Sequence, residues 1–161
     1  MDPYERYGRA LLRKAERILG DREDARDVVQ GLFADLHGAP ERRLVDLPYL
    51  YRAVTNRCLT LLRDATNRAR LLGENDDALV PRLRTACDDT AIGRDLLAKL
   101  VRELDDGESE VLMYRYLDDM TQEEIAALLG LSRKTIGKRL DRIREAVRRI
   151  TGEVAPGGAE P

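Results

Sequence analysis

Helical periodicity is the feature of this sequence that most constrains its fold. Apolar residues recur at steps of three and four along most of the chain, as in Ala25, Val28, Val29 and Leu32, and this spacing places them on one face of a helix. Strand signals are almost absent, because the chain has no Asn-Gly hairpin and no sustained alternation of apolar and polar residues. The pattern predicts an all-α protein.

The periodicity fades once in the middle of the chain, over residues 73–89. This stretch is acidic, contains Pro81 and has no clear period, which is typical of a linker. We therefore predict two small helical domains joined by a flexible linker, one over residues 1–72 and the other over residues 90–150. Residues 151–161, which are rich in Gly and Pro, are expected to form a disordered tail.

The net charge of −2 conceals two basic segments on either side of an acidic one. Leu47–Leu72 carries five arginines and one acid, and Ser132–Ile150 carries eight bases and two acids. Gly73–Glu110, between them, carries eleven acids and five bases. Two basic segments are typical of a protein that holds a polyanion at two places, since Lys and Arg displace counterions from phosphates. Solvated helix faces would give the same pattern.

Residues that carry catalytic chemistry are scarce. The chain has one histidine, His37, and two isolated cysteines, Cys58 and Cys87, which are too few for a disulfide scaffold or a zinc site. No phosphate-loop motif or convincing catalytic triad is present. No apolar run approaches the roughly 18 residues that a bilayer span needs, and the N-terminus lacks the apolar core of a signal peptide. We expect a cytoplasmic protein that is not an enzyme, does not insert into a membrane and uses no metal or cofactor.

The strongest local signal lies between Thr121 and Val147. Thr121 and Glu124 have the spacing of a capping box, so a helix is predicted to start there. Gly130 permits the left-handed backbone that ends such a helix, and Ser132 can cap the next one. A helix, a short turn and a basic helix form a helix-turn-helix, whose second helix enters the major groove of DNA. An ordinary helical hairpin with a basic exterior is the alternative.

Three stretches together resemble a known family. Gly20–Phe33 and Pro48–Arg63 resemble region 2 of bacterial RNA polymerase sigma factors, in the extracytoplasmic-function group of the sigma-70 family. Glu108–Val147 resembles region 4 of the same group. The resemblance implies a region 2 bundle of three or four helices, a region 4 helix-turn-helix domain, and a subunit that gives core RNA polymerase its choice of promoter.

The resemblance also implies how the first domain binds its partners. Core RNA polymerase would bind through its large clamp subunit to the second helix, at Asp24, Asp27 and Gln30. Basic and aromatic side chains suit the phosphates and extruded bases of the minus-ten element. The residues implied for that element are Arg42, Arg43, Tyr49, Tyr51, Arg52, Asn56, Arg57 and Arg63. For Tyr49 and Tyr51 the alternative is core packing.

The second domain would read the minus-thirty-five element and contact the polymerase flap. The residues implied for this element are Arg133, Lys134, Thr135, Lys138, Arg139 and Arg142. Gly137 stands where the family often has Lys, and a Gly inside a helix costs roughly 1 kcal/mol relative to Ala. The acidic linker would thread through the polymerase's RNA channel, and an anti-sigma factor is expected as a further partner. Within the holoenzyme the protein would associate with the nucleoid.

Two other functions stay open at this point. One is a stand-alone helix-turn-helix regulator, which would leave the region-2-like half unexplained. The other is a sigma mimic that sequesters an anti-sigma factor and never touches DNA, which would leave the basic helix without a role. A compact arrangement that hides both DNA surfaces in the free protein is a further hypothesis, and it would give poor DNA binding by the isolated chain.

Overall fold

The computed structural model of the protein describes residues 2–39, 45–72 and 94–152. Over these residues the chain is helical and contains no strand, which confirms the all-α prediction for the described part. The helices are α1 (Pro3–Leu19), α2 (Arg22–Gly38), α3 (Leu47–Leu71), α4 (Arg94–Glu103), α5 (Asp106–Leu112), α6 (Gln122–Leu129) and α7 (Arg133–Thr151), with a π-helical segment, Met113–Leu117, between α5 and α6. The predicted linker and Cys87 lie outside the described residues, as does the predicted tail beyond residue 152.

Short-range caps set where α1 ends and α2 begins. Asp21 caps α2, and its Oδ1 atom accepts a hydrogen bond from the backbone N–H of Asp24 at 2.8 Å. Gly20 ends α1 in the left-handed conformation, with φ of 66°, which a glycine adopts without a steric penalty. The three helices therefore turn sharply enough for α1 to pack against both α2 and α3.

The core of this half contains the apolar stripe of each helix, including Leu11, Val29 and Leu50. Cys58 on the apolar side of α3 belongs to the core and is 0% exposed. Burial raises the pKa of the Cys58 thiol to about 12, so the thiol stays protonated at neutral pH. A protonated, buried thiol is a poor nucleophile, and Cys58 accordingly serves as a small apolar side chain.

In the C-terminal half, α4 and α5 pack against α7, and α6 crosses the same helix. Asp105 and Glu108 form a reciprocal capping box that starts α5. The π-helical segment then buries Tyr114 completely, and π-helical turns frequently occur at functional sites. The segment ends in a turn at which Asp119 has a positive φ of 51°, a conformation that Asp tolerates better than most residues.

The two halves contact each other, and α3 is the helix that they share. It packs against α1 and α2 on one side and against α4 and α5 on the other. Arg63 on α3 donates hydrogen bonds to the carbonyl oxygens of Val101 and Leu104 at the end of α4. The buried apolar side chains of both halves accordingly form one connected cluster. None of the described helices is long and apolar enough to cross a membrane.

Candidate nucleic-acid interfaces

The predicted helix-turn-helix is formed by α6 and α7. The Thr121 hydroxyl accepts from the backbone N–H of Glu124 at 3.1 Å, and the Glu124 carboxylate accepts from the backbone N–H of Thr121 at 3.3 Å. Gly130 ends α6 with φ of 63°, and the Ser132 hydroxyl accepts from the backbone N–H of Thr135 at 3.1 Å to start α7. Both caps and the glycine turn are confirmed, so the two helices are joined with the geometry of the motif.

The first two turns of α7 present cations to solvent. Lys134 and Lys138 are exposed, and Arg133 is exposed and pairs with Glu123 of α6 at 3.1 Å. The Thr135 hydroxyl lies 2.9 Å from the Ser132 hydroxyl beside the helix N-terminus. These four residues of the predicted minus-thirty-five set therefore share the outward end of the helix, where backbone N–H groups also favour phosphate.

The other two residues of that set turn toward α5. Arg142 pairs with Glu108 at 3.1 Å, and the Arg139 guanidinium lies so close to Gly107 that a Cβ there would sit 3.0 Å from its Cζ atom. Arg139 and Arg142 thus help to hold α7 against α5. The sequence did not distinguish them from the outward cations, because all six residues lie on the basic face of one helix.

Gly137 has a structural role that the sequence did not reveal. The Gln122 side chain of α6 crosses over it and donates a hydrogen bond to the Arg133 carbonyl oxygen at 2.8 Å. A Cβ at position 137 would lie 3.0 Å from Gln122 Nε2, which is closer than most side-chain contacts. The absence of a side chain at Gly137 therefore lets α6 and α7 be linked across their crossing point.

Replacing Gly137 with alanine tests this reading. Alanine normally stabilises a helix interior by about 1 kcal/mol relative to glycine, but here the new methyl group displaces Gln122. We expect Gly137→Ala alone to change the free energy of unfolding by less than about 0.5 kcal/mol, and to stabilise by about 1 kcal/mol when Gln122→Ala is already present. Urea denaturation of the four proteins gives the cycle.

The control for this cycle is Gly8→Ala in the interior of α1. A Cβ there would meet the Tyr4 ring at an ordinary 3.5 Å, so this variant is expected to gain about 1 kcal/mol. Equal gains for Gly8→Ala and for Gly137→Ala on the unchanged background would contradict the role assigned to Gln122.

The predicted minus-ten residues divide between an open and a covered side of α3. On the open side Tyr49 is 49% exposed at the start of the helix, and its backbone N–H is capped by Asp46. Asn56 and Arg57 line an open groove of about 360 Å³ between α2 and α3, and Arg57 pairs with Asp35 of α2. Arg42 and Arg43 lie outside the described residues.

On the covered side, Tyr51, Arg52 and Arg63 contact the C-terminal half. The Tyr51 ring stacks on Tyr114, with ring centroids 5.8 Å apart and planes 19° apart. Arg52 Nε lies 3.0 Å from Glu110 Oε1, and this hydrogen bond raises the pKa of Arg52. In addition to its hydrogen bonds to α4, Arg63 donates to the Ser109 hydroxyl at 2.8 Å. In this arrangement, three of the predicted minus-ten residues are engaged by the C-terminal half of the protein.

A buried lysine completes this contact between the halves. Lys14 on α1 is 4% exposed, and its Nζ atom lies 2.6 Å from Asp118 Oδ2 and 3.8 Å from the centre of the Tyr51 ring. Arg17 donates to the other oxygen of Asp118 at 3.1 Å. Burial lowers the pKa of Lys14, against the opposing effect of Asp118. Our sequence reasoning missed both cations, although Lys14 lies three residues after Leu11 on the apolar stripe, where a charge needs a partner.

The residues predicted to bind core polymerase lie along one side of α2. Asp27 and Gln30 are exposed, and Asp24 is half-buried in the first turn. The opposite side of α2 carries Ala25 and Val29 into the core. The structure thus presents an acidic and an amide side chain to solvent from a rigid helix, which suits docking to another protein.

The fold and these surfaces define a class of protein: an all-helical DNA-binding protein with a helix-turn-helix in its second half. Among the described residues, no group of three His, Cys, Asp or Glu side chains could hold a metal ion. Sequence comparison extends the assignment to both halves. The family Sigma-70 region 2 matches residues 3–68, and the family Sigma-70, region 4 matches residues 94–147.

Full-length relatives agree with these two matches. The chain is 33% identical to the RNA polymerase sigma-E factor of Streptomyces coelicolor, over 88% of this chain and 84% of the relative. It is 32% identical to the RNA polymerase sigma-E factor of Streptomyces avermitilis, over 88% and 83% of the two chains. The chain belongs to the sigma-70 family of RNA polymerase sigma factors, in its extracytoplasmic-function group.

Family membership decides between the three functions that the sequence left open. A stand-alone regulator would not contain region 2, and a sigma mimic would not need the exposed cations of α7. The protein is a sigma factor, which joins core RNA polymerase and directs transcription from particular promoters. The resemblance noted from the residues alone is thereby confirmed.

Proposed function

We propose that the sigma factor docks on the large clamp subunit of core RNA polymerase through Asp24, Asp27 and Gln30. The observation that supports this proposal is the exposure of Asp27 and Gln30 on the side of α2 away from the core. An exposed carboxylate can pair with a cation of a partner without desolvation of a buried group.

We propose that the outward end of α7 reads the minus-thirty-five element in the major groove. In this proposal Lys134 and Lys138 contact phosphates, and Arg133 and Thr135 contact base edges or phosphates near the helix N-terminus. Arg139 and Arg142 are assigned to the same element by family resemblance. Both contact α5. They would therefore either leave these partners to reach the DNA, or keep them and fix the orientation of α7.

We propose that α3 and the loop before it bind the minus-ten element. Tyr49 is exposed at the start of α3, and Asn56 and Arg57 line its open groove. Arg42 and Arg43 would complete this surface from the loop. An aromatic ring beside cations suits separated strands, because an extruded base stacks on the ring while its phosphates pair with the cations. Tyr51, Arg52 and Arg63 would join them from the covered side.

The remaining parts of the proposal rest on the family alone. We propose that an anti-sigma factor regulates this protein, that region 4 also contacts the polymerase flap, and that the linker follows the polymerase's RNA channel. We further propose that the protein carries no catalytic step of its own, and that it reaches the nucleoid as part of the holoenzyme. Bond formation in RNA would then be left to core polymerase.

The docking proposal is tested by reversing the charge of Asp27. We expect Asp27→Arg to bind core RNA polymerase about tenfold more weakly, because reversal replaces an attraction at the interface with a repulsion. Run-off transcription with this chain as the sole sigma factor should fall in parallel. Gel filtration with purified core polymerase over a range of concentrations measures binding, and a run-off assay on a promoter template measures transcription.

The matched control is Glu5→Arg, which makes the same charge change at an exposed position on α1. It should leave polymerase binding unchanged. Equal binding by Asp27→Arg and the unchanged protein would remove α2 as the docking face. Loss of binding in both variants would indicate a general effect of charge.

A further inference from the structure

Two carboxylates and an aromatic ring of the C-terminal half are buried against the N-terminal half. Glu110, Tyr114 and Asp118 follow one another at steps of four residues, so a ring lies between two carboxylates. All three are buried against the N-terminal half. Burial of carboxylates is unfavourable unless each is paired. Here their partners across the contact include cations on α1 and α3, while Tyr114 meets the Tyr51 ring and the Thr55 hydroxyl of α3.

The surface that receives these side chains has the composition of a nucleic-acid site. Tyr51 offers a flat ring face, on which Tyr114 stacks at a centroid distance of 5.8 Å. Arg52 pairs with Glu110 at 3.0 Å, while Lys14 and Arg17 pair with Asp118 at 2.6 and 3.1 Å. A stacking ring with cations on either side is what single-stranded nucleic acid requires. Duplex DNA offers no free base face to such a ring.

We propose that Glu110, Tyr114 and Asp118 occupy the place of a short single-stranded DNA segment on the N-terminal half. The Tyr114 ring stands in for a base, and the two carboxylates stand in for the phosphates on either side. When the halves separate, Lys14 and Arg17 join Tyr51 and Arg52 in binding the separated strand. The inference rests on the proposed role of α3 at the minus-ten element, and adds two residues of α1 and a competitor to it.

Two features of the contact support competition over simple packing. Tyr114 also donates its hydroxyl to Glu110 at 2.8 Å, which fixes the carboxylate beside the ring. Lys14 lies 3.8 Å from the centre of the Tyr51 ring and 5.2 Å from that of Tyr114, so its charge faces both rings. Burial lowers the pKa of Lys14, which is the direction expected of a cation that would gain from exposure to solvent and phosphate.

The test removes the two carboxylate charges and measures binding of single-stranded DNA. The probe is a fluorescently labelled single strand of mixed sequence, and anisotropy at low salt gives the affinity. We expect Glu110→Gln/Asp118→Asn to bind the strand about tenfold more tightly than the unchanged protein, because the competitor loses its attraction for the cations. Small-angle scattering should show a larger radius of gyration.

The matched control is Glu16→Gln/Asp141→Asn, which removes the same two charges at surface pairs with Arg22 and Arg144. Its affinity for the strand should change by less than about twofold. Adding Lys14→Met to the first double variant should then lower the gained affinity about fivefold, since one proposed phosphate contact is lost. Circular dichroism confirms that each protein is helical.

Three outcomes would overturn the inference: an unchanged affinity in the helical double variant, an equal gain in the control, or no effect of Lys14→Met on the gain. If the double variant does not fold, Tyr114→Leu tests the ring instead of the charges: it removes the stacked ring and leaves both ion pairs, and tighter binding of the strand is again expected. Run-off transcription by the unchanged protein with core polymerase is measured alongside. Transcription without a gain in strand binding would reject the inference alone, whereas failure to bind core polymerase would reject the proposed docking.

Discussion

Holoenzyme containing Lys134→Glu/Lys138→Glu is expected to bind promoter DNA about 100-fold more weakly than the unchanged holoenzyme. Both lysines are exposed on the first two turns of α7, just after the Ser132 cap that starts this helix. Each reversal removes one phosphate contact and adds a repulsion, and contacts of this kind each contribute roughly tenfold at moderate salt. Mobility-shift titration of a promoter fragment measures the loss, and the salt dependence of binding should become shallower by about two counterions.

The control for this experiment is Arg144→Glu/Arg148→Glu, on the same helix but beyond its first two turns. Both arginines are exposed, and Arg144 pairs with Asp141, one turn earlier on the same helix. The control makes the same change in total charge, so it should cost less than about threefold. Equal losses in the two variants would mean that α7 acts through its overall charge and has no preferred reading end.

The features that the sequence predicts well are those set by neighbours within one helical turn. The caps at Thr121 and Ser132 and the left-handed turn at Gly130 all occur as expected. In each of them a side chain or a glycine satisfies backbone groups three or four residues away, so a short stretch of sequence contains both partners. The apolar stripe of α3 is predictable for the same reason, and it correctly places Cys58 in the core.

The parts of the site that escape the sequence depend on residues far apart in the chain. Lys14 and Asp118 are separated by 104 positions, and nothing near either residue identifies the other. The periodicity of α3 shows which side chains are polar, but it does not show that the C-terminal half covers Arg52 and Arg63 and leaves Asn56 open. Likewise, the role of Gly137 depends on how Gln122 crosses it. Residue types can therefore indicate a DNA-binding surface, whereas its accessibility follows from tertiary packing.

Arg63 is implied for the minus-ten element by resemblance, and it also joins α3 to the C-terminal half. Its replacement has the second large expected effect. Its guanidinium donates to the carbonyl oxygens of Val101 and Leu104 at 3.3 and 3.2 Å. The same group donates to the Ser109 hydroxyl at 2.8 Å and pairs with Asp106. The carbonyl groups at the end of a helix lack partners within it, and a cation there is favoured by the helix dipole. Arg63 thus joins α3 to the turn between α4 and α5.

We expect Arg63→Ala to lower the free energy of unfolding by about 3 to 4 kcal/mol, because several partially buried acceptors lose a charged donor at once. Arg63→Lys keeps the charge, but a single ammonium group cannot span the four acceptors. It should therefore still cost about 2 kcal/mol. Urea denaturation followed by circular dichroism measures both variants.

The conservative control is Arg13→Lys, at an exposed position on α1, which should be neutral within about 0.5 kcal/mol. A DNA-contacting role and a joining role of Arg63 predict different results for Arg63→Lys. A residue needed only for phosphate would tolerate lysine, so stability would be unchanged and strand binding nearly so. A residue that joins the halves would not, and its loss would release α3 from the C-terminal half, with tighter binding of single-stranded DNA as the result. Unchanged stability together with nearly unchanged strand binding would therefore mean that Arg63 contacts only DNA.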